Sequence, residues 1–391
     1  MKAGLRGRLQ SAPRRERFRR LPATLADCLG REKNDLAAVR LLAATAVLYA
    51  HAWIITTPGT KTASFFHIFG FSPDFHGVHA FFILSGMLLT RSLMLRPDAL
   101  RFIVARLVRY VPPIVVAALF AAIVVGPLVT TLPLQDYLGA RPLRFVLAVS
   151  TLYDVNATLP GAFMQGAEPG ILFVPLWTVH YELVFSLVLV IAWALGLMRR
   201  RRLALAALAL TMAVNLAWFW NGESYAYLGS PHHLVRFTTA FGIGALLALY
   251  AERVPVSSRI LLVIAALAAP LAYSHVAALA GMILMAYAIL CVGFLGGRLT
   301  AALARLGTWS YGFYVWGYMI EQTLAYAAPG WSAPQVFLAA FPLALSAGAL
   351  SWIYLERPGG ARVDALTAAI RRRLSILRQG PREASVPLGR D

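Results

Sequence analysis

Apolar residues in this chain fall into runs of about twenty, separated by short polar segments, and a bilayer core takes about 20 residues of helix. Ten such stretches lie at roughly 36–56, 77–95, 108–131, 173–198, 203–220, 233–250, 259–274, 277–296, 306–327 and 334–356. The seventh and eighth are nearly continuous, divided only by Pro270 and the turn Tyr273-Ser274-His275. The pattern predicts an all-α polytopic membrane protein with about ten transmembrane helices. It divides the chain into a basic tail over 1–33, a membrane domain over 34–358 and a second basic tail over 359–391. The longest interhelical segment, 132–172, contains a semi-apolar piece around Arg144–Tyr153, which predicts a re-entrant or interfacial helix.

Composition agrees with this reading. Hydrophobic residues make up 59% of the 391 positions and charged residues only 14%, against about 25% charged in soluble domains. The chain carries 36 Lys and Arg against 17 Asp and Glu. With ten spans, 32 of those cations fall on one side and only Lys61, Arg141, Arg144 and Arg236 on the other. Basic residues accumulate on the cytoplasmic side of membranes, so both termini are expected to be cytoplasmic. The basic excess is then a topology signal spread over every inner loop, and no nucleic-acid partner is expected. The N-terminal segment is too polar and arginine-rich for a cleavable signal. Cys28 and Cys291 fit neither a disulfide framework nor a metal site, and no metal is expected.

Ionisable groups inside a membrane are costly and generally face an internal cavity, so the few present here are the candidates for chemistry. Arg40 and His51 are eleven residues apart in the first span. At 100° and 1.5 Å per residue this puts both on one helix face, roughly 16 Å apart along the axis. On its own the pair is better read as a snorkelling arginine and an interfacial histidine. All eight histidines fall in outer loops or outer helix halves, either because polar residues collect there or because they form a titratable outer site. Glu182 lies near mid-depth, where it must be protonated or paired with a histidine or arginine. Arg236 and Glu321, in the outer halves of their spans, are candidate ion partners or acceptor contacts. The remaining features read as structural. Trp53, Trp218, Trp220 and Trp331 are expected to anchor span ends. Ser85-Gly86 reads as close helix packing rather than a nucleophile, and Asp35 as a cap of the first helix.

Several segments in order resemble the acyltransferase-3 family of integral membrane acyltransferases. Arg40 and His51 reproduce its first-helix Arg-x10-His. Gly77-Val78-His79-Ala80-Phe81-Phe82-Ile83-Leu84-Ser85-Gly86 is similar to its second-helix motif, and Arg106-Leu107-Val108-Arg109 to its basic inner-loop motif. Trp177-Thr178-Val179-His180-Tyr181-Glu182 resembles its Trp-Ser/Thr-Leu-x-x-Glu. Leu306-Gly307-Thr308-Trp309-Ser310-Tyr311-Gly312-Phe313-Tyr314 resembles its late signature, and Glu356-Arg357-Pro358 its closing motif. Two positions depart from the pattern: Gly317 stands where the family often has His, and His79 where it commonly has an acidic or polar residue.

The resemblance implies transfer of an acyl group from cytoplasmic acyl-CoA, acetyl-CoA foremost, to a hydroxyl of an extracytoplasmic carbohydrate or lipid-linked glycan. It implies a multi-pass protein of a plasma membrane, the bacterial inner membrane foremost, with the lipid bilayer as partner. Arg106 and Arg109 are i, i+3 neighbours whose guanidinium forks suit the phosphates of coenzyme A, and Arg40 would hold the donor further along. His51 is expected to be the general base or transient acyl carrier, with Glu182 orienting its ring in the manner of a triad. His79, Arg236, Tyr311 and Tyr314 are expected to contribute to substrate binding. The alternative is a transporter or flippase that binds a polar solute through the same charged residues, but no clear internal repeat supports it. A non-catalytic polysaccharide-export subunit is a third reading.

Overall fold

The computed structural model describes residues 23–31, 33–57, 67–166, 169–220 and 231–379, with only the backbone described at 219, 220, 231, 378 and 379. The basic residues before position 23, Lys61 and the last dozen residues lie outside that set. All ten predicted stretches are helical, and no strand occurs among the described residues. A short α1 (Leu25–Leu29) precedes α2 (Leu36–Thr56) and α3 (Pro73–Leu95). A long α4 (Ala99–Val129) leads into two short helices, α5 (Leu134–Gly139) and α6 (Leu143–Ser150). Then come α7 (Val174–Ala194), α8 (Arg201–Trp220), α9 (Pro231–Leu249), α10 (Ser258–Leu271), α11 (Ala277–Leu295) and α12 (Arg298–Gly307). The chain closes with α13 (Ser310–Ala327) and α14 (Ala333–Ser351), which runs through a π turn at Trp352–Glu356 into α15 (Arg357–Gln379).

Eight of these helices are long and apolar enough to cross a membrane. The two predicted spans outside that group differ for separate reasons. Proline 270 tightens the end of α10 into a 3-10 turn and leaves it short. Helix α13 carries tyrosines, Glu321 and Gln322, yet nearly every residue from Ser310 to Gln322 is buried. Its partners are protein helices, so the hydropathy demanded of a lipid-facing span does not apply to it.

Helix α2 is the central post: it packs against α3, α11, α12, α13 and α14. Helices α3 and α9 cross at close range. A Cβ on Gly86 would stand 2.0 Å from the Phe241 carbonyl oxygen, and one on Gly244 2.0 Å from that of Ile83. Backbones this close need small residues, the usual means of association where lipid removes the hydrophobic drive, and Gly86 therefore matches the packing expected of it. Lipid-facing surface lies elsewhere, as on α8, where Leu203, Leu205 and Leu210 are half-exposed or more.

Two long helices, α4 and α14, carry a π turn. Helix α4 widens into a π turn at Ala121–Val125, and the Tyr137 hydroxyl from α5 donates to the Ala122 carbonyl at 2.7 Å. Backbone groups freed from a helix must be satisfied locally at membrane depth. The expected semi-apolar piece forms α6, with Phe145, Val146 and Val149 buried and Leu143 and Leu147 exposed.

Part of the expected N-terminal tail is built into the body. Thr24 and Asp27 form a capping box on α1, and the N–H groups of Leu25 and Ala26 donate to the carbonyls of Val254 and Ala251. Asp35 occupies the N-cap position of α2 but does not cap it through its side chain. Its Oδ2 accepts from Thr300 Oγ1 at 2.7 Å, while the Asn34 side chain accepts from the Leu36 N–H. Tying α2 to α12 takes precedence over the local cap.

Candidate active site

One cavity of about 140 Å³ sits between α2, α3, α4, α7 and α13. Arg40, Arg106, Arg109 and Glu182 line it, with Tyr311 and Tyr314 closing one wall. Arg106 and Arg109 project from the same side of α4, as their i, i+3 spacing requires. The Arg40 guanidinium lies within electrostatic reach of Arg109, Glu182 and Arg106. Three guanidinium groups against one carboxylate make a site with a net demand for anions. The Nε atoms of Arg106 and Arg109 are buried with no hydrogen-bond partner among the described residues. Such donors are costly unless met, and they fit a phosphate-bearing ligand.

Glu182 is fixed from two sides. Ser85 Oγ donates to its Oε1 at 2.6 Å, and the Tyr110 hydroxyl lies beside it. Sequence reasoning gave Ser85 only a packing role. The bond joins residues on α3 and α7, and it depends on helix rotation that local spacing does not disclose. The expected pairing of Glu182 with His51 is not formed.

His51 instead borders a separate small cavity of about 10 Å³ with Gly317, Tyr318 and Tyr314, room for about one water. Its ring meets the Tyr318 ring edge-on at 5.1 Å. The carboxylate within electrostatic reach of it is Asp74, on the first turn of α3, which accepts a short bond from the Ser72 hydroxyl. Asp74 was missed because Ser72-Pro73-Asp74 reads as an ordinary helix start, with an acid favoured by the dipole.

Tyr314 lines both cavities and so stands between Arg40 and His51. Its hydroxyl donates to the Pro175 carbonyl at 2.9 Å and lies 2.8 Å from Thr178 Oγ1. Tyr311 donates to the Tyr110 carbonyl at 3.0 Å, and the Arg109 guanidinium lies 6.0 Å from its ring centroid. Arg109 is also within reach of the buried Glu356 carboxylate, which accepts from Ser351 at 3.0 Å. The π turn at Trp352–Glu356 gives this closing-motif acid a concrete place: it backs the arginine. Such π turns recur at functional sites.

The remaining predicted residues lie elsewhere. Arg236 is fully buried, with Nη2 2.8 Å from His233 Nδ1 and its guanidinium 4.2 Å over the Phe75 ring. It shares an aromatic box with His79, whose ring lies 4.5 Å from Phe71 and whose two nitrogens have no hydrogen-bond partner among the described residues. Neither Arg236 nor Glu321 meets Glu182. Glu321 is fully buried, with both carboxylate oxygens unbonded and no charged group in reach among the described residues. His180 faces away from both cavities and is exposed.

The acyltransferase domain family matches residues 33–356. Over 383 residues the chain is 28% identical to nodulation protein 10 of Rhizobium leguminosarum bv. viciae, a match covering 88% of this chain and 97% of that protein. No solved structure matches significantly.

Proposed function

We propose that this chain, which belongs to the acyltransferase-3 family of integral membrane acyltransferases, moves an acyl group, acetyl foremost, from cytoplasmic acyl-CoA to a hydroxyl of an extracytoplasmic carbohydrate or glycolipid. The observation that carries the reading is the arginine-lined cavity abutting the His51 chamber through one residue, Tyr314. Arg106 and Arg109 bind the phosphates of the thioester at the cavity mouth, and the basic loops support a cytoplasmic opening there. Arg40 holds the donor deeper, and Glu182, restrained by Ser85, offsets part of the repulsion among the guanidinium groups. The membrane is a plasma membrane, the bacterial inner membrane foremost.

The thioester carbonyl and the acceptor hydroxyl meet at His51 when the Tyr314 side chain yields, since the chamber as it stands holds about one water. The imidazole takes the hydroxyl proton as the oxygen attacks the carbonyl carbon; the C–S bond breaks, and the proton passes to the leaving thiolate. Acyl-CoA and alcohol go in, ester and free thiol come out, and no proton is left over. Asp74 is the acid positioned to favour the imidazolium in passing. The test is release of free coenzyme A by purified protein given acetyl-CoA and glycan acceptors. Ester product in step with thiol supports the reading. Solute uptake into vesicles with no thiol release supports the transporter reading instead.

A further inference from the structure

Helix α7 has two working faces. Thr178, Val179 and Glu182 look into the arginine-lined cavity. On the opposite side, Trp177, His180, Tyr181 and Val184 line a second, larger cleft of about 520 Å³. At 100° per residue the two sets are centred roughly 160° apart, so the second cleft is not a branch of the first. Its rim is the turn after α6, carrying Tyr153, Asp154 and Asn156, and its floor is Val184 with Leu234 of α9.

The lining changes character with depth. Tyr153 is 90% exposed and stands at the rim because Leu152, buried beneath it, adopts a left-handed φ of 57°. The Asp154 carboxylate accepts from the Asn156 backbone N–H at 3.0 Å, which closes the turn that carries both residues. Below them Trp177 and Tyr181 meet edge to face at 5.9 Å. One stripe of α7, from Trp177 to Val184, then descends about 10 Å to Val184 and Leu234, which are both exposed. Exposed apolar side chains on spanning helices face lipid.

We infer that this cleft binds an amphiphile with a sugar head, the lipid-linked form of the acceptor, which reaches the protein sideways from the bilayer; this rests on the acyl-transfer reading above. The apolar C–H face of a pyranose suits the negative face of an aromatic ring. A carboxylate and an amide beside it supply the mixed acceptors and donors that sugar hydroxyls need. The chain of the amphiphile lies on Val184 and Leu234. A purely lipid groove would have no use for Asp154 and Asn156, and a site for a soluble sugar would not open onto lipid.

The experiment uses the full chain in nanodiscs free of glycoside detergent, doped with monoglucosyl diacylglycerol, with phosphatidylcholine of the same chains, or with methyl glucoside in solution. Each probe carries a diazirine, and labelled peptides are mapped. The glucosyl lipid is expected to label the peptides holding Val184 and Leu234 at least about tenfold more than phosphatidylcholine does. Methyl glucoside should not label. Tyr153→Ala and Asp154→Asn, both at exposed positions, should each cut the labelling severalfold with thermal unfolding and calorimetric affinity for acetyl-CoA unchanged, since neither residue lines the arginine cavity. Equal labelling by phosphatidylcholine, labelling by methyl glucoside at the same level, or indifference to both substitutions would overturn the inference. Because labelling needs no turnover, it can succeed while acyl transfer fails, or the reverse.

Discussion

Ser85 and Glu182 are joined by a 2.6 Å hydrogen bond between α3 and α7, and that bond decides which chamber the carboxylate serves. It holds Glu182 in the arginine-lined cavity, where it counters one of three guanidinium charges without collapsing onto any of them. Ser85→Ala should free the carboxylate to pair with Arg40 or Arg109 and so compete with the donor phosphates. Hydrogen bonds to charged groups contribute about 1.5–3 kcal/mol. The expected outcome is a donor KM raised about tenfold or more with acceptor KM little changed. An unaltered donor KM in steady-state kinetics would remove this role.

Arg106 and Arg109 should govern the donor alone. Each charge-assisted contact with phosphate contributes about 1.5–3 kcal/mol, so Arg109→Ala should weaken acetyl-CoA binding by at least about tenfold. Lysine at the same position should restore only part, because it lacks the planar fork. Calorimetric titration with acetyl-CoA checks both variants. Equal affinity for wild type and Arg109→Ala would place the phosphates elsewhere.

Tyr314→Phe should have two separable effects. Loss of the hydroxyl removes its bonds to the Pro175 carbonyl and Thr178, costing about 1 kcal/mol of stability. The partition between the chambers should also loosen, admitting water to the thioester. Thiol release from acetyl-CoA in the absence of acceptor is therefore expected to rise. A variant with wild-type background hydrolysis would show that Tyr314 is not a partition.

How far the sequence could be read depends on the range of each interaction. The Arg40–His51 stripe was legible because helix period is local, and α2 delivers both residues as the spacing requires. The pairing of Glu182 with Ser85 was not, since it is set by how α3 and α7 rotate against each other across 97 positions. Asp74 hid in an ordinary helix start. Asp35 gave up its cap for Thr300, 265 positions away, a tertiary choice over a local one. Helix α13 shows the opposite effect: its apolar run was recognised as a span although protein, not lipid, surrounds it.

Helix α15 is tied back to α4. Asp98 Oδ1 accepts from the Arg101 N–H at 3.1 Å, and Arg371 Nη2 lies 2.6 Å from Oδ2. The Arg101 N–H first, and Arg371 after it, hold the Asp98 carboxyl below the usual carboxylate range. A carboxyl depressed in the folded state stabilises it above the ordinary value near 3.9 and loses that contribution as pH falls through the depressed one. The α4–α15 contact should thus be intact at neutral pH and loosen below about pH 4. Spin labels at Arg96 and Ser375 should give a narrow distance distribution at neutral pH that broadens in acid, and Asp98→Ala should broaden it at neutral pH. Identical distributions at both pH values would contradict this.

The central claim is that His51 carries the proton of the transfer step. It is tested most directly by measuring ester formation from acetyl-CoA and a glycan acceptor by purified His51→Ala alongside the wild type, with thermal unfolding as the control for folding. General base catalysis is typically worth 10²–10⁴-fold, and a loss in about that range is predicted, with acetyl-CoA affinity retained because the arginine cavity does not contain His51. Near-normal ester formation by well-folded His51→Ala protein would contradict the account and move the chemistry to another histidine.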